Sequence, residues 1–229
     1  LEFFPELDTG GHRAFVRDLS FSADGDWLIS ASDDRTVRIW DWRAGVTLRT
    51  LRGQIGTGGE GKVNAAAISP DGRLVATGGV FGPVGDGGPY GDVRVFDAQT
   101  GRMAAVLKGL ERPVTTLAFS PDGKTLASGS IDGTVMLWDV PAQTLRGTLA
   151  THSGASLYTL AFTTDGRAVV TVGGTENRGS MQIWDVDTRK LRDELRLVLP
   201  ITSIAVSPDG HTLAWGNAVG TVSLCRFDP

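Results

Sequence analysis

His12, Ser30 and Asp34 are the residue types of an acyl-transfer triad: a hydroxyl nucleophile, an imidazole base and a carboxylate to orient it. A nucleophile needs an exposed oxygen with room beside it for a substrate. Ser30 falls inside Trp27–Ala31, a short apolar run that reads as an interior strand, so the set reads as structural. Metal chemistry has no better footing. His12, His152 and His211 are far apart in the chain, and the single cysteine, Cys225, gives no ligand pair at zinc spacing. The recurring Asp-Gly pairs lack the spaced oxygen ligands of a calcium loop. Gly78-Gly79 and Gly87-Gly88 lie in a Gly-rich loop with neither the Lys-Ser/Thr nor the helix that a phosphate cradle needs. No catalytic residue, metal or cofactor is expected, and the chain reads as a non-enzyme.

The elements that would position these residues are clearest in Val114–Asp139, VTTLAFSPDGKTLASGSIDGTVMLWD. Three β-type runs, Val114–Phe119, Thr125–Ser130 and Val135–Trp138, are separated by Ser-Pro-Asp-Gly at 120–123 and Ile131-Asp132-Gly133. Pro fixes φ, Asp bonds its own backbone and Gly accepts φ > 0, so both joints are tight turns and the runs form an antiparallel meander. A lone meander has unpaired edges and two faces to bury, and needs neighbours. Copies of itself supply them. Asp-Gly recurs at Gly25, Gly72, Gly123, Gly166 and Gly210, spaced 47, 51, 43 and 44 residues apart, the period of a repeat architecture with one supersecondary unit per copy.

A second landmark keeps phase: Trp40-Asp41, Phe96-Asp97, Trp138-Asp139 and Trp184-Asp185, with Cys225-Arg226 at the fifth place. The chain thus resembles the WD-repeat β-propeller family, whose four-stranded blades carry this dipeptide at the end of the third strand. The resemblance implies an all-β fold, one propeller domain over 1–229, with repeats near 11–53, 54–109, 110–152, 153–198 and 199–229 and residues 1–9 as an extra fourth strand. One strand at the N-terminus, four in each of the first four units and three in the last make five complete blades. Two arrangements stay open: a closed five-bladed ring, or five blades of a seven-bladed array. The start at Leu1, without Met, marks the chain as an expected excised or processed piece. Arg189–Leu199, RKLRDELRLVL, consists largely of helix formers, yet the repeat phase makes it the fourth strand of unit four, and the phase is followed.

Many members of this family satisfy a His, a Ser or Thr, an Asp and a Trp inside each blade. Unit one matches with His12, Ser30, Asp34 and Trp40. Unit three keeps Ser128, Asp132 and Trp138 with Leu110 in place of His, and unit four keeps His152, Thr171 and Trp184 with Arg178 in place of Asp.

Composition bounds the function. With 41% hydrophobic residues and a net charge of −4, the 229-residue chain suits a soluble all-β protein and disfavours nucleic-acid binding by bulk charge. No run is long enough for a membrane span and no signal segment is visible, so no membrane partner is expected. One cysteine, unable to form an internal disulfide, favours a reducing, cytoplasmic location.

What remains is surface. Unit two is enlarged at Gly53–Gly61 and Gly78–Gly91, and unit four carries a smaller insertion around Gly173–Ser180. Long loops on rigid scaffolds are frequently functional. The resemblance places binding positions flanking each first strand and just before the second-turn Asp. These are Phe15, Arg17 and Asp33, then Lys62 and Asn64, then Pro113, Thr115 and Ile131, then Ser156, Tyr158 and Asn177, and finally Pro200 and Thr202. Aromatic and Arg anchors put Phe15, Arg17, Tyr158 and the loop residues Phe81 and Tyr90 first, with blade packing as the alternative role for Phe15.

The expected function is a non-catalytic scaffold binding a protein or peptide at the top rim. The Ser-Pro-Asp-Gly turns resemble bacterial repeats, and Gly53–Asp71 resembles arrays attached to caspase-like peptidases or other signalling enzymes. The alternative is therefore the sensor region of a larger bacterial enzyme, a caspase-like peptidase or kinase, whose other domains are partners. A propeller enzyme with a central pocket is disfavoured, because no acids, His or metal ligands converge. Nucleic-acid docking through Arg35, Arg38, Arg43, Arg49 and Arg52 would show a steep salt slope.

Overall fold

A hydroxyl two residues before each Asp-Gly pair locks the first hairpin of every repeat. Ser22, Ser69, Ser120 and Thr163 donate to Asp24, Asp71, Asp122 and Asp165 at 2.5, 2.6, 2.6 and 2.6 Å, and Ser207 donates likewise to Asp209. Each carboxylate in turn accepts from the amide two residues on, as Asp122 Oδ1 does from Lys124 N at 3.0 Å. The glycine that follows takes φ of 70 to 76° in all five, the left-handed region that costs other residues a steric clash.

The structure, a computed structural model, describes residues 11–52, 60–81, 91–149, 155–175, 178–217 and 219–226. The first sheet runs β1 (Val16–Phe21), β2 (Trp27–Ser32), β3 (Thr36–Asp41) and β4 (Val46–Arg52), all neighbours antiparallel. The second runs β5 (Val63–Ile68), β6 (Leu74–Gly79), β7 (Gly91–Asp97) and β8 (Met103–Leu110). The third runs β9 (Val114–Phe119), β10 (Thr125–Ser130), β11 (Val135–Asp139) and β12 (Thr144–Leu149). The fourth holds β13 (Ser156–Phe162), β14 (Ala168–Thr175), β15 (Arg178–Asp185) and β16 (Leu191–Leu197), and the fifth β17 (Ile201–Val206), β18 (Thr212–Asn217) and β19 (Val222–Arg226). These are five β-propeller blades in an all-β chain, as the repeat implies. Among the described residues no helix is long and apolar enough to cross a membrane.

Two compact units divide the chain, Leu1–Val114 and Thr115–Pro229. In the first, Ile29, Ala31, Val37, Ile39 and Leu51 of blade one pack against Val63, Ala66, Ile68, Val75 and Phe96 of blade two. In the second, Ala127, Val135, Leu137 and Leu149 pack against Leu160, Phe162, Val169 and Trp184, while Val170, Val172 and Met181 on the other side of blade four meet Ile201 and Leu213 of blade five. Strand alternation explains this economy: one blade serves two interfaces because successive side chains point to opposite faces.

The helix-forming stretch at 189–199 is a strand, β16, paired along β15 from Leu191 to Leu197. Tertiary pairing outweighs its propensity. The insertion expected around Gly173–Ser180 is instead a longer hairpin: Gly173 pairs with Ser180, Gly174 with Gly179 and Thr175 with Arg178. The strand expected at Leu1–Leu7 and the tips of both unit-two loops, residues 53–59 and 82–90, lie outside the described residues.

Candidate functional site

The first strands β1, β5, β13 and β17 each start with a bulge. The ladder skips Arg17 in β1, Asn64 in β5, Tyr158 in β13 and Thr202 in β17. A bulge leaves one residue unpaired and re-aims its side chain. Asn64 Nδ2 donates to the Val114 carbonyl at 3.0 Å. Tyr158 Oη and Thr202 Oγ1 each donate at 3.3 Å to a carbonyl of the second strand, Gly174 and Gly216. Thr115 Oγ1 reaches Leu157 O at 3.0 Å. Tyr158 is 37% and Ile131 48% exposed, and Thr202 is exposed. Tyr90 and Asn177 lie outside the described residues.

Arg17 is the bulge residue with a charge. Its Nε and Nη2 donate to the two oxygens of Asp33 at 2.9 and 2.6 Å, a planar fork on a carboxylate. Lys62 Nζ reaches the same Asp33 Oδ2 at 3.4 Å from blade two. The Asp33 side chain is only 7% exposed, while Arg17 and Lys62 keep 48% and 38% of theirs. The Arg17 hydrogen bond, helped by the charges of Arg17 and Lys62 and opposed by burial, holds the Asp33 carboxyl below its ordinary range. That bond likewise raises Arg17. Phe15 is 76% exposed, with the guanidinium carbon of Arg17 5.6 Å from its ring centroid. Blade packing therefore does not account for Phe15. A sunken anion thus props two half-exposed cations beside a bare aromatic, which suits a partner offering acceptor groups and an apolar side chain.

Phe81 departs from expectation. It was expected on the binding surface, but it is fully buried. A bridge to Gly91 ties its backbone back, and the guanidinium carbon of Arg94 lies 4.6 Å from its ring centroid, so it packs the blade.

His12, Ser30, Asp34 and Trp40 form one hydrogen-bonded chain. Trp40 Nε1 donates to Ser30 Oγ at 2.8 Å, Ser30 Oγ and His12 Nε2 are 2.6 Å apart, and His12 Nδ1 is 2.8 Å from Asp34 Oδ2. An ionised carboxylate only accepts, so Nδ1 carries the proton; Ser30, accepting from Trp40, gives its own to Nε2. Ser30 is 3% exposed, its oxygen is engaged on both sides, and no substrate reaches it. In blade three Trp138 Nε1 donates to Ser128 Oγ at 2.8 Å, and Leu110 at the His position is buried. Burial opposes ionisation of Asp34, but hydrogen bonds from Thr36 and His12 and the Arg13 amide outweigh it and hold the group at about 2. A depressed carboxyl stabilises the fold above its unfolded value of about 4 and loses that contribution as the pH falls through the folded one. Thermal melts from pH 7 to 2 should therefore show a steeper acid loss in the native chain than in Asp34→Asn. Equal slopes would contradict the assignment.

One residue escaped sequence reasoning. Asp18, half-buried, accepts the Ala66 amide of blade two on Oδ2 at 3.0 Å, and burial pushes its carboxyl up. Its repeat equivalent Thr116 accepts the Leu160 amide of blade four at 3.3 Å. The available signal was a polar residue recurring at one inward position of an otherwise apolar strand. Of the arginines that nucleic-acid docking would use, Arg43 pairs with Asp26 at 2.5 Å and Arg38 is half-buried over Trp40.

Residues 5–41, 45–87 and 101–139, together more than half of the chain, match the family described as WD domain, G-beta repeat. The chain is 29% identical over 204 residues to the Target of rapamycin complex subunit wat1 of Schizosaccharomyces pombe, covering 87% of this chain and 59% of that protein. It is 26% identical over 200 residues to the Target of rapamycin complex subunit LST8 of Bos taurus, covering 84% of this chain and 55% of that one. The Small ribosomal subunit protein RACK1y of Oryza sativa is 29% identical over 267 residues, 94% of this chain and 76% of the relative. The chain thus spans less than two thirds of the length of the first two.

Proposed function

This chain belongs to the WD40 repeat family, and on that premise we propose that it is a non-catalytic scaffold that binds a protein or peptide through the bulged starts of its first strands. The observation that carries this reading is the group around Asp33: Phe15 bare, and Arg17 and Lys62 held in place yet half open to solvent. Preorganised cations and an exposed aromatic are the features that anchor interfaces, because little ordering remains to be done on binding. The relatives are named as subunits of a complex and of a ribosomal particle, which supports work within an assembly. With one cysteine, half-buried and free, we place that assembly in the cytoplasm.

The reading as docking region of a larger bacterial signalling enzyme rests on the Gly53–Asp71 segment and the Ser-Pro-Asp-Gly turns. The relatives named above are eukaryotic and lend it no support.

Affinity capture from source-cell lysate tests the proposal. Phe15→Ala with Arg17→Glu should lose the native chain's partner, with affinity down by about 30-fold or more, the scale of an interface hot spot. Arg167→Ala, at the opposite end of a blade beside Asp165, should retain it. Equal capture by all three would sink the proposal.

A further inference from the structure

The group around Asp33 is short of negative charge. Arg17 and Lys62 share this one carboxylate, so the three side chains together carry a single excess positive charge. Arg17 gives Asp33 its Nε hydrogen and one on Nη2, and Lys62 makes one bond to it. Of the five guanidinium and three ammonium hydrogens, three and two have no partner among the described residues. Asp33 is sunk, its side chain 7% exposed, so an incoming group meets nitrogen rather than carboxylate.

Arg17 Nη2 and Lys62 Nζ stand 2.6 and 3.4 Å from the same Asp33 oxygen, close enough together for one further carboxylate to touch both. A carboxylate, with one charge, fits this balance better than a phosphate, which brings close to two charges to a site with one to offset. Beside the cations lies the bare ring of Phe15, its centroid 5.6 Å from the Arg17 guanidinium carbon. In an extended chain, side chains two residues apart point the same way and stand about 7 Å apart. One extended segment can therefore lay an apolar side chain on Phe15 and an acid on Arg17 and Lys62.

We propose that the partner docks here through an extended acidic segment, with an Asp or Glu two residues from an apolar side chain. The inference rests on the reading of the bulged strand starts as the binding surface, and adds what that surface selects. Arg17 is committed to Asp33 by its fork, whereas Lys62 is held by one contact at 3.4 Å, so Lys62 is the cation most readily shared with the incoming acid. The chain as a whole has a net charge of −4, so the attraction is local to this group rather than a matter of bulk charge.

Random peptides displayed on phage and selected on the native chain test this, and the enriched sequences should share the apolar and acidic residues two apart. The best of them, synthesised with a fluorescent label, is then titrated by anisotropy beside its Glu→Gln or Asp→Asn form. Lys62→Met keeps the stem and removes the charge, and circular dichroism should show it folded. Against the native chain the acidic peptide should bind at least about tenfold tighter than its neutral form, and against Lys62→Met that preference should shrink to about twofold. Phe15→Ala should weaken both peptides. Peptides that depend on Phe15 yet bind equally well with the acid neutralised would overturn the acidic segment and leave the surface standing. Peptides indifferent to both Phe15→Ala and Lys62→Met would sink the surface itself. A selection that enriches no such pattern, or a peptide displaced equally well by single-stranded DNA, would also overturn the inference.

Discussion

Gly79→Ala is expected to destabilise the chain by about 3 kcal/mol or more, among the largest effects of any single methyl. Gly79 closes β6 opposite Val63, where the β5 bulge begins. A Cβ there would run into the Lys62 carbonyl oxygen and lie 3.0 Å from both the Lys62 carbonyl carbon and the Val63 Cα. All three are backbone atoms, so no rotamer change relieves the overlap. The Lys62 carbonyl also accepts the Val80 amide at 3.0 Å, and moving it opens that bond. Gly129 makes the informative contrast. A Cβ there meets the side chains of Leu157, Thr116 and Leu160, which can repack, so Gly129→Ala should cost less. Urea denaturation of both variants decides the matter. A Gly79→Ala midpoint near that of the native chain would show that the bulge is not held by close backbone approach. Because the bulge aims Lys62 and Asn64, the same variant should also weaken partner binding.

Trp40→Ala should cost about 3 to 5 kcal/mol, the range for losing a buried indole. Two separable losses contribute. The side chain is 4% exposed, so its packing is lost, and the Ser30 hydroxyl loses its donor at the head of the chain through His12 to Asp34. Trp40→Phe keeps much of the packing and removes only the N–H, which should cost about 1 to 3 kcal/mol. Ser30→Ala strands both the indole N–H and the imidazole and should cost a similar amount. Combined, Ser30→Ala and Trp40→Phe should cost less than the sum of the two, since each destroys the bond the other made. Strict additivity would show the link to be incidental. His12 and the Arg13 amide are tied to Asp34, which fixes the backbone just before Phe15 and Arg17, the residues of the proposed binding surface.

The blade count, the turn glycines and even β16 were legible because they recur in phase, and a repeat multiplies weak local signals. In Arg189–Leu199 the phase outweighed a composition that favours helix, since pairing with β15 satisfies a whole backbone edge. Arg17 and Asp33 were legible as positions but not as an ion pair. Nor was the role of Lys62 as second cation, which depends on how blade two sits beside blade one. Phe81 was misplaced because a Gly-rich sequence says nothing of where an aromatic inside it will turn, and Arg94, which covers it, lies beyond the loop. Asp18 is hard to read for a related reason: the polar residue that recurs at this strand position gains its meaning only from its acceptor role toward the next blade.

Site-directed photocrosslinking tests the central claim most directly. A benzoyl-phenylalanine at Phe15 and another at exposed Ala23 sit at opposite ends of β1 in the same blade. Crosslinking to a partner from position 15 and not from position 23 is the result expected if the bulged strand starts are the binding surface. Crosslinking from 23 and not from 15 would place the interface at the Asp-Gly turns and contradict the assignment.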